Sequence, residues 1–129
     1  MKDNTTSEIQ EVIDHWVKSI QQKNMEGILQ NHSPDILMFD VPVPLQSKGL
    51  KEYRETWELF FQYSSGGKNS FQLEEFQITA SDTVAFCTAL IKLSNSPKPQ
   101  CRLTIGLKKI NNQWMIVHEH HSAPHELSE

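Results

Sequence analysis

Three of the four residues from His118 to His121 are histidines, a dense run near the end of a 129-residue chain. Imidazole exchanges protons near neutral pH and is also a frequent metal ligand, so this run is a natural place to look for acid–base or metal chemistry. If the segment is a strand, alternation points Trp114, Ile116, His118, His120 and Ser122 one way and Met115, Val117, Glu119 and His121 the other. The spacing therefore predicts that His118 and His120 line a small-molecule pocket, with His121 on the outer face. A strand end carrying solvated imidazoles is the plainer reading. Two imidazoles at i and i+2 can also reach one ion. Zinc would need at least one further ligand, for which Asp40, His15 and His32 are the candidates, although no spacing requires them. His118-Glu119-His120-His121 is not the helical HExxH zinc motif, because the second histidine falls at the wrong interval. No metal ligand is assigned and no cofactor is called for.

Arg102 and Thr104 share one face of the preceding strand, while Leu103, Ile105 and Leu107 take the other. A guanidinium in mid-sheet must be paired with a carboxylate or face a cavity, since burying it alone is prohibitively costly. Facing the pocket, Arg102 would orient a carbonyl, enolate or carboxylate through a charge-assisted hydrogen bond. Asp40 follows Leu37-Met38-Phe39. At an apolar rim its carboxyl pKa would rise and make it a better base; before Val41-Pro42 it also suits a turn. Trp16, Trp57, Phe60, Phe61 and Trp114 are either core or the walls of a ligand cavity.

These side chains need elements to position them. Ile9, Val12, Ile13, Trp16, Val17 and Ile20 recur at three and four residues and make one helical stripe, opened by Thr5 with Glu8 as a capping box. Asn24 caps a short second helix through Met25, Ile28 and Leu29, ending near Asn31 and stopped by Pro34. Ile36 to Val41 reads as a brief edge strand ending at Asp40. Leu50, Tyr53, Trp57, Phe60 and Phe61 form a third helix with an aromatic face. After the flexible Ser64 to Asn69 loop, Phe71–Thr79, Thr83–Ser94, Gln100–Ile110 and Gln113–His121 read as strands of an antiparallel meander. Helices followed by a meander define an α+β fold.

Composition narrows the partners. With 12 Lys plus Arg against 16 Asp plus Glu and a formal charge of -4, there is no basic footprint for nucleic acid. No apolar run approaches the roughly 20 residues of a membrane span. The polar start at Met1 to Glu8 lacks the character of a secretory signal, so the chain is expected to be cytoplasmic. Cys87 and Cys101 are assigned to packing. The length suits a single domain over residues 1–129, with flexible ends at 1–6 and 124–129.

The element order, together with Trp114, His118-Glu119-His120-His121-Ser122 and Pro124, and Arg102 and Thr104 upstream, resembles the SnoaL-like family. That family sits in the nuclear-transport-factor-2-like superfamily with the ketosteroid isomerases. The resemblance implies a cone in which three helices close over a strongly curved mixed or antiparallel sheet around an apolar cavity, and a homodimer through the outer sheet face. It places Asp40 where the isomerases carry their general base. Trp16 stands where they carry a first-helix tyrosine, and an indole is not a phenol, which argues against steroid isomerisation.

The leading expectation is an isomerase-, cyclase- or hydratase-type enzyme acting on a small carbonyl compound. Asp40 or His118 would be the base, Arg102 and His120 would stabilise the enolate, and Trp16, Trp57, Phe61, Thr104 and Trp114 would line the ligand site. The alternatives are a non-catalytic ligand-binding or dimeric interaction domain, and a metal-assisted hydrolase.

Overall fold

A computed structural model describes residues 4–127. Helix α1 (Thr5–Gln21) buries Ile9, Ile13, Trp16 and Ile20, the stripe expected from the spacing. Its N-cap is Asn4 and Thr5 is already helical, so the helix begins one residue before the cap expected at Thr5. Of the ends expected to be flexible, Thr5 and Thr6 belong to α1, whereas residues 1–3 and 128–129 lie outside the described residues. Helix α2 (Met25–Leu29) is capped by Asn24, whose side chain accepts from the Gly27 N–H at 3.2 Å.

Strand β1 (His32–Phe39) starts four residues before the expected Ile36. Pro34 does not stop the chain there, because β1 bulges away from its neighbour between His32 and Leu37, where the missing proline N–H breaks no ladder bond. The two-residue β2 (Ser47–Lys48), too short to read from sequence, caps the edge. Helix α3 (Gly49–Phe61) buries Tyr53 and Trp57. Strands β3 (Phe71–Ala80), β4 (Val84–Leu93), β5 (Cys101–Ile110) and β6 (Gln113–Ser122) fall within a residue or so of their expected limits.

The strands form one mixed sheet in the order β2-β1-β6-β5-β4-β3, with β1 parallel to β6 and the other pairs antiparallel. Irregularities in β1, β3 and β6 bend it, because each extra residue kinks its strand and adds local twist. The helices cover the concave face, where Ala85, Cys87, Ala89 and Ile91 of β4 and Leu103, Ile105 and Leu107 of β5 meet the stripe of α1. The result is the cone-like α+β architecture expected from the sequence. No helix among the described residues is long and apolar enough to cross a membrane.

Candidate active site

The site depends on one residue of β6. Leu107 of β5 pairs with Ile116, but Gly106 pairs with His118, so Val117 is an extra residue opposite the β5 ladder. A bulge of one residue reverses the alternation beyond it. Trp114 and Ile116 face the core before the bulge, and Glu119 and His121 face it afterwards.

Glu119 is wholly buried and fully occupied. Its Oε2 accepts from the Tyr53 hydroxyl at 2.6 Å and lies 2.8 Å from His32 Nε2, while Oε1 lies 3.1 Å from His121 Nε2. The Tyr53 oxygen also accepts from Trp16 Nε1 at 3.0 Å. His32 Nδ1 meets the Gln30 carbonyl at 2.8 Å and so carries a proton. Burial alone would raise the Glu119 carboxyl, but the hydrogen bonds from His121 and His32 and their charges outweigh it and bring it from 4.5 down to about 2. Burial, then the charge and hydrogen bond of Glu119, push the Tyr53 phenol well above its usual range, keeping it a donor.

The depressed glutamate gives a pH expectation. Its stabilising contribution is complete above 4.5 and is lost as pH falls through about 2. Urea midpoints measured across that window should fall steeply, and Glu119→Gln should flatten the fall. An unchanged slope in the variant would assign acid unfolding to other carboxylates.

His121 forms part of the wall of an apolar cavity of about 380 Å³ with Met38, Asp40, Trp57, Phe60, Phe71, Ile91 and Cys101. Small-molecule sites span about 300–1,000 Å³. Asp40, just beyond β1, accepts from the Val41 N–H at 2.8 Å. Burial raises its carboxyl above the ordinary value, against the lowering effect of His121 and this backbone bond. Cys101 is likewise raised by burial and by Asp40. A second cavity of about 480 Å³, lined by Gln46, Ser47, Glu52 and Glu55, shares Asp40, Pro42, Thr56 and Leu59 with the first.

The structure thus brings Asp40 and Trp57 to the cavity and takes other expected site residues away from it. His120, Arg102 and Thr104 are exposed on the convex face. His118 faces the same way, its Nδ1 bonded to the Leu37 carbonyl at 2.7 Å, and Phe39 stacks edge-on against both His118 and His120. The expected inward pair is therefore corrected to Glu119 and His121, and the cause is the Val117 bulge. Arg102 is solvated rather than buried, so the choice between ion pair and cavity does not arise. Trp16 and Trp114 are core, and Phe61 packs behind Trp57 rather than on the cavity wall. Among the described residues no three His, Cys, Asp or Glu side chains are arranged to hold a metal ion, so His118 and His120 gain no third ligand.

Arg102→Ala and His120→Ala, both on the face turned away from the cavity, are each expected to leave ligand affinity unchanged. Titration of tryptophan fluorescence checks this. Weakened binding in either variant would return the convex face to consideration.

His32, Tyr53, Glu119 and an inward His121 were not legible as a site. The available signal was Gly106, since a glycine inside a strand often marks a bulge. Nothing local in the sequence links His32 to Glu119, 87 residues away.

Solved structures share the fold. An NTF2-like protein of unknown function from Pseudomonas putida KT2440 superposes with a TM-score of 0.86 and 27% identity, covering 98% of this chain and 92% of that one. A candidate dehydratase of the NTF2-like family from Streptomyces avermitilis gives 0.76 and 14%, covering 96% and 99%. A candidate ketosteroid isomerase from Parabacteroides distasonis ATCC 8503 gives 0.72 and 17%, covering 93% and 88%. At these last identities the likeness is one of fold alone. No curated protein matches the chain. The SnoaL-like domain profile matches residues 9–126, and with the curved sheet, the covering helices and the cavity between them, this chain belongs to the SnoaL-like domain family.

Proposed function

We propose that the chain is a general acid–base enzyme acting on a small, largely apolar carbonyl compound. The observation that carries this reading is that Asp40 and His121 stand in the wall of one apolar cavity, close enough to feel each other's charge. Asp40 as carboxylate takes the proton from the carbon beside the carbonyl, and the C–H electron pair moves into the enolate. His121 takes the proton over and delivers it to a different atom, or to a departing hydroxyl. The first outcome is isomerisation and the second dehydration. A carboxyl raised by partial burial is the better base for this work. The names of the isomerase-like and dehydratase-like neighbours fit this class of chemistry.

The test follows exchange of the α-protons of 2-tetralone and a panel of similar cyclic ketones into D2O by proton NMR. Acceleration by the wild-type protein, lost in Asp40→Asn, is the expected result. Ketones that quench tryptophan fluorescence but exchange no faster than in buffer would favour a ligand-binding role without turnover.

We further propose a cytoplasmic homodimer joined through the convex sheet face. Two observations support it: Val84 and Phe86 of β4 are 54% and 49% exposed there, and Cys87 and Cys101 are free thiols. Phe86→Asp should halve the mass seen by light scattering. A wild-type monomer would remove the dimer.

A further inference from the structure

We propose that Glu119, held in place by His32 and Tyr53, is a positioning residue that fixes His121 with Nδ1 as the nitrogen presented to the substrate. The inference rests on the acid–base reading above and assigns how its histidine is set. The two carboxylate oxygens divide their work. Oε2 takes Tyr53 and His32, leaving Oε1 to His121 Nε2 at 3.1 Å. A ring nitrogen that faces a carboxylate carries the hydrogen.

His32 backs the carboxylate. Its Nδ1 donates to the Gln30 carbonyl, and its Nε2 lies 2.8 Å from Glu119 Oε2 and 2.9 Å from the Tyr53 hydroxyl. Tyr53 is in turn held by Trp16 Nε1 at 3.0 Å. Trp16, Tyr53 and Glu119 are at most 1% exposed and His32 3%, so little water competes for these bonds.

The ring of His121 is also gripped by packing, edge-on to Trp16 at 6.3 Å and to Trp57 at 6.0 Å. Among the described residues its Nδ1 has no hydrogen-bond partner, yet it is not one of the sealed, unpartnered polar atoms. Because His121 lines the cavity, that nitrogen is open to a ligand. The titratable groups around it are Asp40 beyond β1, His32 of β1, Tyr53 of α3, Tyr63 after α3, Cys101 of β5 and Glu119 of its own strand. When Nδ1 takes the proton handed over by Asp40, the imidazolium forms against a carboxylate already in place, with no charge left to reorganise. When the proton passes on to the substrate, the ring returns to its starting tautomer.

The tautomer is directly measurable. Full-length protein labelled with 15N-histidine, studied by long-range proton–nitrogen correlation at about pH 8, above the ordinary histidine pKa of about 6.5, should show His121 protonated at Nε2 and bare at Nδ1. Glu119→Gln should erase that preference and slow α-proton exchange by about 10²-fold, the scale of a misplaced catalytic group, with KM changed less than twofold. A wild-type ring protonated at Nδ1 would overturn the proposal, and this spectrum decides the matter even if the variant does not fold. If Asp40→Asn leaves exchange untouched while the tautomer is as expected, the reaction fails and the positioning stands. The reverse pattern sinks the positioning alone.

Discussion

Asp40→Asn is expected to cut α-proton exchange by about 10²–10⁴-fold, the usual contribution of a positioned general base, without loss of fold. The substitution keeps size and shape, and an asparagine oxygen can still accept the Val41 N–H that Asp40 Oδ1 accepts at 2.8 Å. What disappears is the carboxylate. Because burial raises the folded-state pKa of Asp40, its ionised form is disfavoured by the fold, at a cost that sets in as pH rises through the carboxylate range. Asn should therefore leave the protein equally or slightly more stable at neutral pH. Exchange rate and urea midpoint together test this. Loss of both would mean that Asp40 serves chiefly the turn before Pro42.

Glu119→Ala should have the opposite profile, a loss of roughly 3–5 kcal/mol, as when one partner of a buried ion pair is removed. Against a total of about 5–15 kcal/mol for a domain, this leaves the fold marginal. The deletion takes the carboxylate away from His32 Nε2, the Tyr53 hydroxyl and His121 Nε2 in one step. His32 and Tyr53 are buried, so neither recovers the lost bond from bulk water. Glu119→Gln keeps the shape and one acceptor and should cost less. Equilibrium unfolding in urea orders the two variants. A change below about 1 kcal/mol for Ala, the typical effect of an ordinary substitution, would show that the network adds little net stability.

The sequence carried most of the architecture, because the helix stripes and strand runs each bury one face and so leave a periodic trace. Asp40 was legible for a related reason: it closes an apolar run at an element end. The rest of the site was not, because its position depends on one unpaired residue. Simple alternation from Trp114 is correct as far as Ile116 and inverted from His118 onward, since Val117 is apolar and fits either face. His32 reads only as a candidate metal ligand, because Pro34 looks like a boundary yet sits in a strand that bulges around it. Tyr53 was found as part of an aromatic helix face, but its hydroxyl chemistry follows from a carboxylate on β6, which no local pattern in α3 encodes.

Asp40 stands in the wall common to the two cavities. In the apolar cavity, Trp57, Phe60 and Phe71 of the wall pack edge-on against one another, which restricts its width. The other runs past Pro42 and Thr56 towards Gln46 and Glu52. A ligand that fills the apolar cavity can carry a tail outward past the same carboxylate. On the proposed acid–base reading, chain-extended analogues of a ligand held in the apolar cavity should therefore be accepted where ring-enlarged ones are refused.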